Sequence, residues 1–405
     1  MNYSLLKPLT RWCEIDLDLL SHNINEAKKL ISPDTKIMAV VKDNAYGHGD
    51  VVIAHEMENL GIDFFAVSHI DEAIRLRENN INSNILILSY TSPAYFELLA
   101  KYNLTQSLIS LEYADKINSF CKDNNCKISA HVKIDTGMHR LGLCYDKTES
   151  TFNHIIQVYN LPYINITGTY THYAVADSLK PDDITYTKNQ YELFETLIKS
   201  LKEKGINPGI LHTQNTPATL SYTNFKSDYV RVGTLLIGLP YGDIALSPQA
   251  ENFKSIFSLK SKVSLVKSLP PDSKIGYGLN YTTSQDEKIA VVAIGYGDGY
   301  PRYLSNRHVH AIVNGNLAEV IGNIYMDQLS INVTSIPNVK EGDIVTLIGS
   351  DGKHNISLNY IAYMMNTLSN EIVDHINWRV PRVYKKSDSL YVANICSQGN
   401  IQFLD

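Results

Sequence analysis

Between about residues 36 and 240, short apolar runs alternate with longer amphipathic stretches, and this alternation restricts how the chain can fold. The runs are almost continuously apolar, as strands of a parallel sheet covered on both faces are. The segments between them have the spacing of amphipathic helices, for example KNQYELFETLIKSLKEKG. Parallel strands joined by crossover helices are therefore predicted. The candidate strands are 36–42, 63–68, 85–89, 105–109, 128–134, 164–171, 210–213 and 229–232.

Eight such strands fit a (β/α)8 barrel better than an open, doubly wound sheet. After about residue 250 the pattern changes to short, often alternating runs joined by Gly, Asn, Pro and Asp, which is typical of an antiparallel β domain. One helix is predicted within it, at 358–368. We therefore expect a barrel domain over 1–250, with the first residues able to pack with the β domain, a β domain over 251–385 and a peripheral tail over 386–405.

The net charge and the cysteine content of the chain argue against several classes of function. The formal net charge of −6 argues against a nucleic-acid partner, which selects a basic face. No apolar leader or membrane-length apolar run is visible, so no membrane partner is predicted and the cytoplasm is the expected compartment. The cysteines are sparse, odd in number and form no C-x-x-C pair, which favours free thiols in a reducing compartment and no metal site. They are Cys13, Cys121, Cys126, Cys144 and Cys396.

The sharpest local motif is VVKDNAYGHG at 40–49, in which Lys42 is predicted to end the first barrel strand. Active sites of such barrels lie at the C-terminal ends of the strands. A lone lysine there is more often a solvated residue than a catalytic one. Tyr46, together with Gly47 and Gly49, which let the backbone approach a ligand closely, favours a binding pocket instead.

This motif resembles the pyridoxal-phosphate lysine motif of alanine racemases. The similarity covers roughly residues 10–385, and further family motifs follow in order. They are KIDTGMHRLG, GTYTHYAVAD, HTQNTPATL, DYVRVG, GYGLNYT, GYGDGYPR, MDQ and WRVPR. The resemblance implies a barrel that binds pyridoxal 5′-phosphate, followed by a β domain. It also implies racemization of alanine by two bases, in a homodimer whose active sites are each completed by the partner's β domain.

The resemblance assigns catalytic roles to single residues. Lys42 would bind the cofactor covalently and act as one base, and Tyr277 of the other subunit would be the opposing base. His172 would contact that tyrosine. Arg231 would hydrogen-bond the pyridine nitrogen, and a guanidinium stays charged at ordinary pH, so the nitrogen would remain unprotonated. The cofactor would then be a weaker electron sink, which limits transamination and argues against a decarboxylase of this fold.

The remaining assignments concern the substrate and the phosphate. Arg140 would lie near the cofactor's phenolic oxygen and the substrate carboxylate, and Lys133, often carbamylated in relatives, would orient it. The phosphate would bind at a helix start. Its ligands would be Tyr46, Thr216 and the backbone N–H groups of Gly233 and Thr234. Met326, through its backbone, and Tyr296 would reach the substrate from the partner subunit.

The sequence departs from the family pattern at several positions. Thr216 replaces a usual serine, Thr234 adds a hydroxyl near the phosphate, and Asn323 stands where an arginine is common. The largest departure is Asn370, where relatives carry a tyrosine that narrows the pocket. A similar exchange is a feature of the serine-racemizing branch, so a serine or broad-specificity racemase is the alternative to an alanine racemase. A non-catalytic pyridoxal-phosphate carrier is a remote alternative, because such carriers resemble only the barrel half.

Overall fold

The computed structural model describes residues 6–387, 389–394 and 402–404, with side chains described up to Leu390. The chain forms two compact units, Ser21–Lys254 and Met1–Leu20 with Ser255–Asp405. Strand β1 (Arg11–Asp16) belongs to the second unit, and helix α1 (Leu17–Lys29) follows it directly.

The first unit contains the predicted eight parallel strands. They are β2 (Lys36–Val40), β3 (Phe64–Val67), β4 (Asn84–Ile87), β5 (Thr105–Leu108), β6 (Ile128–Asp135), β8 (Ile164–Tyr170), β9 (Ile210–His212) and β10 (Tyr229–Val232), with the short strand β7 (Leu143–Cys144) beside β6. The hydrogen-bonded order is β10-β2-β3-β4-β5-β6-β8-β9. Between β9 and β10, the backbone N–H of Asp228 donates to Leu211 O at 2.8 Å, so the barrel is nearly closed. The barrel prediction is confirmed.

Helices connect these strands, as the amphipathic segments predict. They are α2 (Lys42–Tyr46), α3 (Asp50–Asn59), α4 (Ile70–Glu78), α5 (Phe96–Lys101), α6 (Leu111–Asp123), α7 (Glu149–Tyr159), α8 (Pro181–Glu203) and α9 (Thr216–Ser221). The side chains of Ser110 and Thr148 cap α6 and α7 by accepting from backbone N–H groups three residues on. Lys42 does not end a strand as predicted, because β2 stops at Val40 and Lys42 begins α2.

The second unit is a mostly antiparallel sheet, as predicted. Its elements after β1 are β11 (Phe257–Leu269), β12 (Lys274–Ile275), β13 (Tyr281–Thr282), β14 (Glu287–Val292), β15 (His310–Val313), β16 (Asn316–Ile321), β17 (Leu329–Asn332), β18 (Ile344–Asp351), β19 (His354–Ile356), α10 (Leu358–Met365), α11 (Ser369–Asp374), β20 (Arg382–Lys386), β21 (Ser389–Asn394) and β22 (Gln402–Leu404). Strand β1 pairs antiparallel with β11 and parallel with β20. The predicted helix at 358–368 ends earlier, at Met365, because Asn366 is left-handed with φ 54°.

The four cysteines within the described residues form no disulfide bond. Cys13, Cys121, Cys126 and Cys144 are free thiols, and Cys396 lies outside the described residues. Within the described part of the chain, no helix is both long and apolar enough to cross a membrane.

Candidate active site

The barrel brings four of the predicted site residues to one end. Lys42 follows β2, Lys133 lies near the end of β6, His172 follows β8 and Arg231 lies on β10. These positions are at the C-terminal ends of the strands, where barrel active sites form. Burial, and then the charges of Arg231, Arg140, Lys133 and Lys42, hold the pKa of His172 well below its usual value. The imidazole is therefore neutral, and the surrounding positive charge suits an anionic ligand.

Lys42 is presented by an unusual left-handed turn. The four residues after it have φ angles of 53°, 54°, 51° and 52°, although none is glycine. They are Asp43, Asn44, Ala45 and Tyr46. A left-handed conformation costs roughly 1–2 kcal/mol for each such residue. A strained segment of this kind persists only where the surrounding structure holds it in place.

Glu72, at the start of α4, holds this turn. Its Oε1 accepts from the backbone N–H of Asp43 at 2.5 Å. Its Oε2 accepts from the N–H groups of Ser68 at 2.7 Å and His69 at 2.9 Å. Within the turn, the Oδ1 of Asn44 also accepts from the N–H of Asp50 at 3.1 Å. The buried Glu72 carboxylate thus fixes the lysine turn to the next crossover segment, a role that the sequence analysis missed.

Arg231 lies buried at the centre of a donor network. Its Nη1 donates to His212 O at 2.7 Å and its Nη2 to Thr171 O at 2.7 Å and Thr213 O at 3.0 Å. Burial lowers its pKa to about 10, so the guanidinium remains charged at neutral pH. Among the described residues only its Nη atoms have hydrogen-bond partners within the barrel, which leaves Nε as a donor for a ligand.

Arg231 can only donate hydrogen bonds, and this determines which ring nitrogen of each neighbouring histidine carries the proton. Its Nη2 lies 3.1 Å from His172 Nδ1 and its Nη1 lies 3.0 Å from His212 Nδ1. Both Nδ1 atoms must accept, so each neutral ring carries its proton on Nε2. His212 Nε2 then donates to His131 Nδ1 at 2.8 Å. Burial lowers the pKa of His131 to about 3, so this chain of rings stays uncharged.

The sequence analysis missed His131 and His212. Both are buried, His131 in the middle of β6 and His212 at the end of β9, where it begins the motif HTQNTPATL, but neither position by itself shows that the two rings meet. One signal exists at Gly168 on β8, because a Cβ there would come within 2.7 Å of the His131 ring. Glycine at this strand position makes room for the ring.

Lys133 and Arg140 occupy the β6 strand and the loop after it. Burial and the charge of Arg140 lower the pKa of Lys133 to about 8. Its Nζ lies 5.5 Å from the centre of the Tyr170 ring. Arg140 is exposed, as a residue that meets a substrate can be.

The predicted phosphate ligands lie together. The N–H of Gly233 donates to Thr216 Oγ1 at 3.3 Å, and a Cβ on Gly233 would collide with the Tyr46 hydroxyl. The buried Oγ1 of Thr234 has no hydrogen-bond partner among the described residues. The expected helix start is wrong for part of this group: Thr216 begins α9, but Gly233 and Thr234 lead into consecutive turns, with Leu239 N–H donating to Thr234 O at 2.8 Å.

The second unit gathers its own predicted site residues into an exposed patch, which we call the tyrosine patch. Tyr277, Tyr296 and Met326 are 77%, 41% and 53% exposed. The ring of Tyr277 packs edge-on against Tyr325 at 5.8 Å, and the N–H of Tyr296 donates to Tyr325 O at 2.9 Å. Asn323 supports the patch, since its Nδ2 donates to Tyr277 O at 2.7 Å.

An ion-pair network connects residues from three of the motifs. The Oδ1 of buried Asp298, in GYGDGYPR, accepts from Arg11 Nε at 2.6 Å and Arg379 Nε at 2.8 Å. Arg379, in WRVPR, also donates to Asp327 of MDQ at 2.8 Å. The Oδ2 of Asp298 accepts from the N–H of Gly295 at 3.0 Å, which fixes the loop that carries Tyr296.

Asn370 is the residue on which the serine-racemase alternative depends. It lies in the first turn of α11 and is half-buried. It belongs to the same unit as the tyrosine patch.

Comparison with known protein families decides the assignment. Residues 15–240 match the model of the alanine racemase N-terminal domain, and residues 256–384 match that of the alanine racemase C-terminal domain. The chain belongs to the alanine racemase family. The C-terminal model matches as well, so the chain contains more than the barrel. Non-catalytic pyridoxal-phosphate carriers, the remote alternative, resemble only the barrel half.

Individual proteins that are similar to this chain are also named as racemases. An alanine racemase of Methanococcus maripaludis is 37% identical over 92% of this chain and 98% of its own length. An amino-acid racemase of Enterococcus faecalis is 36% identical over 91% of this chain and 51% of its own length. A solved alanine racemase structure from Clostridium difficile has a TM-score of 0.88 and 34% identity, and the match covers 96% of this chain and 99% of that one.

Alanine racemases depend on pyridoxal 5′-phosphate, and this chain is a pyridoxal-phosphate enzyme of that family. Its residues fit the cofactor. The unpartnered Thr234 hydroxyl and the Tyr46 hydroxyl, which lies close against Gly233, suit a phosphate, and Nε of Arg231 suits a ring nitrogen. Lys42, at the same end of the barrel, would supply the amine.

Replacing Glu72 with glutamine is expected to weaken both the lysine turn and cofactor binding. The amide keeps one acceptor oxygen, so one of three backbone N–H groups loses its partner. A lost buried hydrogen bond costs about 1–3 kcal/mol, and we expect the free energy of unfolding to fall by that amount. Urea unfolding and cofactor titration measure the two effects.

Glu58→Gln is the matched control. Glu58 accepts from the N–H groups of Asn82 and Ser83 at 3.1 and 2.8 Å, just before β4 begins and not at the strand ends that carry the site. Both N–H groups donate to the same oxygen, Oε1, which glutamine retains, so this variant should keep wild-type cofactor affinity and lose little stability. Equal cofactor affinities in both variants would contradict a special role for Glu72.

Proposed function

We propose that this chain interconverts L- and D-alanine, with pyridoxal 5′-phosphate bound at the C-terminal end of the barrel. The observation that carries the proposal is the conjunction of Lys42 on a strained turn, buried Arg231 and a hydroxyl-lined cradle at one barrel end. When bound, the cofactor draws electrons from the substrate α-carbon, so that its proton can be removed. The barrel unit serves as the cofactor-binding domain.

The two bases act on opposite faces of the substrate. The amine of Lys42 removes or returns the α-proton on one face, and the phenol of Tyr277 does so on the other. His172 Nε2 carries a proton and can donate towards that phenolic oxygen, because its Nδ1 is held by Arg231. The cationic Arg231 keeps a proton off the ring nitrogen, which favours return of the α-proton over side reactions. Arg140 binds the substrate carboxylate.

The functional unit is a homodimer in which each barrel receives the tyrosine patch of its partner. The support is the exposure of that patch: three large side chains face solvent, and hydrogen bonds from Asn323 and to Asp298 hold the backbone that carries two of them. Exposed apolar and aromatic groups that are held in place mark interaction sites. The four free thiols in the described residues favour a reducing compartment, so we place the enzyme in the cytoplasm.

A panel of L-amino acids, assayed for the D isomer with added cofactor, tests the function. We expect alanine to be the best substrate. The names of the similar proteins favour alanine over the serine alternative. Absence of D-alanine in a preparation that binds the cofactor would contradict the proposal.

Asn370→Tyr tests whether this position tunes specificity. A tyrosine fills space and removes an amide that can hydrogen-bond a substrate hydroxyl. We expect kcat/KM for L-serine to fall about tenfold relative to that for L-alanine, the size of effect that a small change in a pocket has. An unchanged ratio would exclude Asn370 as a specificity residue.

Lys133 is proposed to carry a carbamate. With its pKa lowered to about 8, roughly a tenth of the amine is neutral at pH 7, and only the neutral amine adds carbon dioxide. Carbon NMR with isotope-labelled bicarbonate should show a carbamate signal that grows as the pH rises through about 8. Lys133→Met should lack it. No signal in the wild type above that pH would contradict the modification.

A further inference from the structure

A cluster of metal-ligating side chains lies on the loop that follows β6. Asp135, His139 and Cys144 each offer one ligand atom, and these atoms all lie within 4.8 Å of one another. Asp135 is buried, whereas His139 and Cys144 are exposed. None of the three has a part in the proposed reaction.

The fold builds this cluster on fixed backbone. The Oδ1 of Asp135 accepts from the N–H groups of Gly137, Met138 and His139 at 2.9, 3.0 and 3.1 Å. The carboxylate is thereby oriented, with its Oδ2 3.7 Å from His139 Nδ1. Cys144, on β7, is the direct strand partner of Asp135. The spacing along the sequence follows no common metal motif, so the sequence analysis expected no metal here.

We propose that Asp135, His139 and Cys144 bind a thiophilic divalent cation of the Zn²⁺ class. A thiolate, an imidazole nitrogen and a carboxylate oxygen are the three ligand types that Zn²⁺ takes, at about 2.0–2.3 Å. Tetrahedral geometry then requires ligand atoms roughly 3.3–3.8 Å apart. Binding requires the two exposed side chains to rotate until their ligand atoms lie at these distances, while the buried carboxylate stays in place. The thiol releases its proton to solvent on binding, and the fourth position is open to water.

Binding of Zn²⁺ would also restrain Arg140, because that residue follows His139 directly in the loop. We expect Zn²⁺ to raise the KM for alanine. This consequence rests on the proposed contact of Arg140 with the substrate carboxylate, whereas metal binding itself does not.

Competition with a chromophoric zinc chelator tests the site in the cofactor-loaded enzyme. The wild type should bind one Zn²⁺ per chain at this site. Cys144→Ser and His139→Asn should each weaken binding at least ~10-fold, since changes merely next to a metal ligand already cost 10–100-fold. Asparagine suits position 139 because it tolerates the left-handed φ of 54° found there. Co²⁺ should give a thiolate charge-transfer band in the wild type that Cys144→Ser lacks.

Cys126→Ser is the control, since Cys126 is a partly exposed thiol outside the cluster, and it should bind Zn²⁺ as the wild type does. Equal affinity in Cys144→Ser and wild type, or loss of binding in Cys126→Ser alone, would overturn the site. In kinetics, Zn²⁺ should raise the KM of the wild type but not of Cys144→Ser. A KM that saturating Zn²⁺ leaves unchanged would overturn the coupling to Arg140 while leaving the racemase function intact.

Discussion

Lys42→Ala is expected to remove both the visible absorbance of the lysine-bound cofactor and the racemase activity. The amine is the only group proposed to hold the cofactor covalently, and it also serves as one of the two bases. Loss of a general base alone costs about 10²–10⁴-fold in rate, and loss of the covalent attachment adds to it. We therefore expect turnover to fall by more than about 10⁴-fold. Absorbance spectra and D-alanine formation measure the two losses.

Two further variants separate chemistry from structure. Lys42→Arg keeps a cation at the start of the left-handed turn but cannot bind the cofactor covalently, so it should fail in the same way. Lys36→Ala removes a lysine from the opposite end of β2, where it pairs with Asp63 at 2.6 Å on the surface. A surface pair contributes about 0–1 kcal/mol, so that variant should keep its absorbance and activity. Racemization by Lys42→Arg would contradict the assignment.

The barrel could be predicted because its strands are buried on both faces. All four residues of β3 are both apolar and buried, and such a run stands out from the helices around it, whereas β5 is equally buried but mostly polar. The ends of the strands could not be predicted in the same way. Burial does not mark where a strand stops, and β2 ends before Lys42 because the left-handed turn begins there.

The sequence predicted that the second domain is mostly antiparallel β, but it did not predict the order in which the strands pair. Alternation shows that a strand has one buried face, but it does not identify the strand beside it. The parallel pairing of β1 with β20 joins residues from opposite ends of the chain, and no local sequence pattern predicts this pairing. Helix α11 is short, and its six residues carry too little periodicity to separate them from a loop.

In the site, the motifs identified the residues that we propose to contact ligands, but not the residues that hold these in position. Lys42, Arg231 and Tyr277 stand in distinctive local sequences. Glu72 and His212 act through hydrogen bonds to segments far away in sequence, so their roles exist only once the chain has folded. The same holds for the metal-ligating cluster, which strand pairing between β6 and β7 assembles.

Tyr277→Phe is expected to keep the cofactor absorbance but to lower racemization by about 10²–10⁴-fold, the contribution of one general base. The ring, and its contact with Tyr325, remain. Because Lys42 is intact, the variant should still exchange the α-proton of one alanine isomer with solvent deuterium, without inverting it. Tyr303→Phe, which alters another exposed tyrosine of the same unit, should leave racemization unchanged. Full racemization by Tyr277→Phe would contradict the two-base assignment.

Mixing subunits shows whether Tyr277 serves the partner's barrel. In a dimer of one Lys42→Ala subunit and one Tyr277→Phe subunit, shared sites leave one active site with both native bases and one with neither. Random reassociation makes half of the dimers mixed, so a mixture of two inactive proteins should recover about a quarter of wild-type activity. If each subunit used its own tyrosine, every site would lack one base and no activity would return. The recovered activity therefore measures whether a barrel and a tyrosine patch from different chains form one active site.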